Sequence, residues 1–122
     1  MAQDRPTAAE LVSAVRDFLV RDLQPTLEGR LGFHTRISAN ALGMIERELL
    51  LGPALDAEER ARAVAILGHD ADLGVLEREI ASGIRDGSLS ASASEVRAHV
   101  RATVRGKLEI ANPGYLDADD RA

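Results

Sequence analysis

His34, Glu48 and Lys107 are the side chains whose types and surroundings best suit acid–base chemistry. On a helical wheel at about 100° per residue, Gly32 to Leu51 places Phe33, Ile37, Ala41, Met44, Ile45 and Leu49 on one broad arc, expected to face a core. His34, Ser38 and Glu48 fall inside that arc and Asn40 at its edge, while Arg36, Gly43 and Arg47 take the opposite side. A buried imidazole or carboxylate is costly unless a partner satisfies it. These groups therefore either pair across the core, with Lys107 answering Glu48, or line a cleft in which His34 is the acid or base. Fourteen residues of helix, about 21 Å at 1.5 Å each, separate His34 from Glu48, so the two cannot form one site. His34 and Ser38 can touch at four-residue spacing, but such a pair lacks an acid and an oxyanion hole.

His69, Asp70 and Asp72 are metal-ligand types placed close together. They lack the HExxH pattern, the paired ExxH of di-iron bundles and the EF-hand loop. Helix capping accounts for Asp70 without a metal. Glu46, Glu48, Glu77 and Glu79 do not repeat at three- or four-residue spacing, so they do not gather into a magnesium-binding face. Gly29, Gly32 and Gly43 fit no phosphate loop, because no strand precedes them. No cofactor and no metal is expected.

The elements that must position these residues are helices. Thr7-Ala8-Ala9-Glu10 is a capping box, and Leu11, Val15, Phe18 and Leu19 recur behind it, so a first helix runs to about Leu23 and ends at Gln24-Pro25. A second starts near Arg30 to Gly32 and is expected to end at Gly52-Pro53. Asp56-Ala57-Glu58-Glu59 reads as the acidic start of a short third helix, with Gly68 as its C-cap. Leu73, Leu76, Ile80 and Ile84 mark a fourth over about 71–86, with Asp70 as N-cap and Gly87 beyond it. Ser92 to Glu95 reads as a further capping box. The fifth helix carries Val96, Val100, Thr103, Val104, Leu108 and Ala111 on its apolar side, with Lys107 near its middle, and Asn112-Pro113-Gly114 stops it. No segment alternates with the period of a strand. The expected fold is an all-α antiparallel up-down bundle of four main helices and one short one.

At 122 residues the length suits one domain, with residues 1–6 and 117–122 loose. The absence of cysteine excludes disulfides, thiol nucleophiles and cysteine zinc sites. A net charge of -5 without a Lys/Arg cluster argues against nucleic acid. No apolar run approaches the roughly 20 residues that span a bilayer, and the N-terminus lacks a signal-peptide layout, so a cytoplasmic location is expected.

Three blocks, RPTAAELVSAVRDFL (5–19), LEGRLGFHTRISANAL (27–42) and VRGKLEIANPGYL (104–116), resemble a family of small bacterial proteins or C-terminal domains of unknown function. Members accompany aminoglycoside-phosphotransferase-like kinases and acyl-CoA dehydrogenases. The resemblance implies an accessory protein that binds such an enzyme, and it points to Glu28, Arg30, His34, Arg36 and Asn40 in the central block and Asn112, Pro113 and Tyr115 at the close. Self-association into a homodimer is a further expectation, since small helical bundles often have spare apolar surface. The alternative is a small-ligand site or weak enzyme with a polar pocket around His34, Arg36 and Asn40.

Overall fold

The computed structural model describes residues 4–116. It is an all-α helical bundle fold, with no strand among the described residues. The helices are α1 (Ala8–Asp17), α2 (Gly29–Leu67), α3 (Leu73–Asp86) and α4 (Ala93–Ala111). The chain divides into two compact units, Met1–Gly52 and Pro53–Ala122. Of the ends expected to be loose, 1–6 and 117–122, residues 1–3 and 117–122 lie outside the described residues.

In the first unit, Thr7 caps α1 as expected: its hydroxyl accepts from the Glu10 amide at 3.2 Å, and the Glu10 carboxylate accepts from the Thr7 amide at 3.2 Å. Arg5 adds a 2.8 Å ion pair to the same carboxylate. Its guanidinium first, and the Thr7 backbone amide second, hold the Glu10 carboxyl below the ordinary glutamate range. Beyond Asp17 the helix continues as a π-helical stretch, Phe18–Leu23, then a 3-10 turn containing Pro25. Gly29, at φ 61°, opens α2.

The unit is a helical hairpin in which a side chain of the first helix lies over a glycine of the second. Ala39 and Gly43 of α2 are buried. A Cβ added at Gly43 would sit 3.7 Å from the Arg16 guanidinium, which lies across it. Arg16 reaches Glu46 at 3.5 Å, while its Nε is buried without a hydrogen-bond partner. The apolar arc expected to face a core points the other way. Phe33, Ile37 and Met44 are 51%, 46% and 43% exposed, while the opposite side of the helix is the covered one, where Ala39 and Gly43 are buried and the Arg16 side chain lies over Gly43.

The expected break at Gly52-Pro53 does not occur. α2 runs through Pro53 to Leu67, so the predicted second and third helices are one, and Asp56 to Glu59 lie mid-helix rather than at a start. Proline disfavours helical geometry in the residue before it mainly by clashing with that residue's Cβ and amide. Gly52 has no Cβ, and its φ is not positive, so the pair passes with one backbone hydrogen bond lost.

The second unit packs the rest of α2 with α3 and α4. Its core is Ala63, Leu76, Ile80 and Val96, with Val64, Ile66, Leu67, Ala71 and Leu89 packed around it. Gly68 at φ 82° and Gly87 at φ 80° end α2 and α3 in the left-handed conformation that suits glycine. The N-cap of α3 is Asp72, not Asp70. Asp70 instead accepts from the Ala71 amide at 2.8 Å and pairs with Arg60 at 2.7 Å. Ser92 occupies the N-cap of α4 but makes no side-chain cap bond. The 3-10 turn Ser90–Ser92 before it leaves Ser92 at ψ 21°, away from the extended geometry that aims a hydroxyl at the first turn. At the far end, Pro113–Tyr115 forms a closing turn, and Leu116 behind it is buried.

Candidate functional site

α4 is rotated relative to the expected apolar side. Its buried residues are Val96, His99 and Gly106, and a Cβ at Gly106 would lie 3.3 Å from Leu55 of α2. As in the hairpin, a side chain of the neighbouring helix lies over a glycine. Val100 and Val104 therefore face outward, and Lys107 is exposed rather than central to a core.

The rotation carries a polar network inward. His99 is only 2% exposed. The Arg62 Nε–H donates to His99 Nδ1 at 3.3 Å, and Arg62 Nη2 donates to the Thr103 hydroxyl at 3.4 Å. An arginine can only donate, so Nδ1 is the acceptor and the ring proton sits on Nε2, which donates to Glu77 at 2.7 Å. With both ring nitrogens engaged and the ring out of water, His99 offers no free base to a substrate. It fastens α2, α3 and α4 together. Sequence reading missed it because His99 stands beside a plausible apolar stripe at Val96 and Val100, and only the partners at positions 62 and 77 reveal its burial.

The residues singled out by sequence lie on the surface. His34, Arg36, Asn40 and Glu48 are exposed on α2, with Glu28 and Arg30 near its start, so the expected placement of His34 and Glu48 on a core-facing arc is not what the fold adopts. The His34 ring packs edge-on against Phe33, with centroids 5.6 Å apart, and the Arg36 guanidinium lies 5.7 Å from the Phe33 ring centre. Glu28, Phe33 and Arg36 line a hollow of 300 Å³ with Gln24, Leu27 and Gly32. His34 and Asn40 are not among its lining residues. Asn112 is exposed; its amide donates to the Leu108 carbonyl at 2.8 Å, and its carbonyl accepts from the Tyr115 amide at 3.0 Å. Tyr115 itself is 73% exposed. His69 pairs with Glu79 at 2.6 Å, and among the described residues no three His, Asp or Glu side chains come together to hold a metal. No helix among them is long and apolar enough to cross a membrane.

A larger concavity than this hollow lies elsewhere, an open groove of 1410 Å³ in the second unit. Ile84 and Leu89 form one part of its lining, and Val96, Val100, Val104 and Leu108 of α4 another, with Leu116 closing an end. Arg97, Arg101 and Arg105 also line it, at the four-residue spacing that puts them along one edge of α4. Such a groove can take an apolar helix face and neutralise acidic residues beside it.

The chain belongs to the family described as a domain of unknown function (DUF6285), whose model matches residues 25–115. The match takes in α2, α3, α4 and the closing turn and leaves α1 outside. No curated protein and no solved structure matches the chain.

Proposed function

We propose that this protein is a helical accessory module that binds another protein, and that the groove on α3 and α4 receives an amphipathic helix carrying acidic residues. The observation that supports the reading is the groove's composition, a continuous apolar floor bordered by a row of arginines. Large apolar side chains left outward while polar ones are buried are the mark of a surface kept for a partner. The family resemblance directs the search toward a phosphotransferase-like kinase or an acyl-CoA dehydrogenase-like enzyme.

The test is capture of tagged chain from its native lysate with mass spectrometry of what accompanies it, repeated with Val100→Asp and Val104→Asp. Both valines are exposed, so the variants should keep their helical circular dichroism and lose the partner at least tenfold. Capture of neither enzyme class, or capture unchanged by both variants, would overturn the reading.

The hollow beside Phe33 supports a second reading, a small-ligand site in which Arg36 meets an anionic group. Its 300 Å³ lies at the lower end for ligand sites. A thermal-shift screen with Arg36→Ala as control separates the two.

A further inference from the structure

We propose that the outward stripe of α2 from Arg30 to Glu48 is a self-association surface, on which the same stripe of a second copy packs antiparallel about a two-fold axis. Phe33, Ile37, Ala41 and Met44 stand on it at the three- and four-residue steps of a helix–helix seam, and the three large ones are each about half exposed. The opposite side of the same helix, at Ala39 and Gly43, is already occupied by α1. α2 is therefore apolar on one side and packed on the other, and the apolar side has no occupant within its own unit.

Charge decides the occupant and its direction. Arg30 and Glu48 are 18 residues apart, which is five turns of α-helix, so they lie on one line about 27 Å apart at opposite ends of the stripe. Both are exposed, and neither forms an ion pair among the described residues. A parallel copy would set Arg30 against Arg30 and Glu48 against Glu48. An antiparallel copy centred between residues 37 and 41 sets Arg30 against Glu48 at both ends. The same register places Phe33 opposite Ile45 and Ile37 opposite Ala41, so large meets small where the two helices come closest. One patch thus satisfies itself, as a two-fold interface requires. The seam is a single helix wide, small beside the ~800 Å² per partner of a standard interface, so the pair is concentration-dependent, dissociating on the order of micromolar.

Sedimentation equilibrium of the full chain reads the association. Arg30→Glu alone and Glu48→Arg alone should each weaken it roughly tenfold, and the two together should restore it. Ile37→Asp should abolish it without loss of helical signal, since the side chain is exposed. The chain has no cysteine, so Phe33→Cys with Ile45→Cys gives a clean crosslinking test. Residues 33 and 45 of one helix are about 18 Å apart, too far for an internal disulfide. Oxidation should link position 33 of one copy to position 45 of the other. A chain monomeric at several hundred micromolar, links of 33 to 33 and 45 to 45, or charge variants that associate like the original would each overturn the proposal.

Discussion

His99 shows how a single buried side chain can join three helices. Arg62, Glu77 and Thr103 come from different elements, and the imidazole or the Arg62 guanidinium bonds each of them. Removing the ring strands a guanidinium and a carboxylate that are only partly reached by water. His99→Ala should cost about 3 kcal/mol in urea denaturation. His99→Phe, which fills the volume without bonding either neighbour, should recover less than half of that loss. Full recovery would show that volume alone matters. The candidates named from sequence differ in kind: His34, Arg36, Asn40 and Glu48 are exposed, so truncating any one of them should alter binding before it alters folding. The place of His34 and Glu48 inside an apolar arc, with Asn40 at its edge and Arg36 opposite, was legible in the sequence, but their exposure was not. A wheel shows which residues share a face and leaves open which face meets a neighbour.

At the scale of the element, α2 sets the organisation. Its 39 residues include Pro53 and pass from one compact unit into the other. The proline removes one backbone donor, and the Gly52-Pro53 pair lowers helix propensity further. Pro53→Ala should restore the missing bond to the Leu49 carbonyl and stabilise the protein by about 2 kcal/mol, seen as a higher urea midpoint with unchanged far-ultraviolet circular dichroism. A lower midpoint would mean that the proline's fixed φ is needed where it stands. Starts and stops governed by local geometry were readable: the Thr7–Glu10 box, the left-handed Gly68 and Gly87, and the Asn112-Pro113 exit all stand where expected. Those that depended on competition between neighbouring segments were not. Asp56 to Glu59 carries the chemistry of a helix start, yet a helix already running through Gly52 loses less by continuing than by ending and nucleating again.

Across the whole molecule, burial is uneven. α1 contains no buried residue, whereas α3 and α4 hold Leu76, Ile80, Val96 and His99. Amide exchange should therefore be slowest around Leu76 to Ile80 and Val96 to His99 and at least tenfold faster along α1, measured residue by residue by nuclear magnetic resonance. Equal protection along α1 would show that a partner or a second copy already covers it. The sequence by itself determined the all-α class, the helical stretches and most of their ends, because those follow from short-range periodicity and capping within a few residues. Only the tertiary structure decided which side of each helix is inside. At Gly43 and Gly106 the missing Cβ leaves room for the side chains of Arg16 and Leu55, and the broader apolar stripes of α2 and α4 are left facing outward. A one-dimensional pattern weighs hydrophobicity and carries no measure of which side chain of another helix will fill the space a small residue leaves.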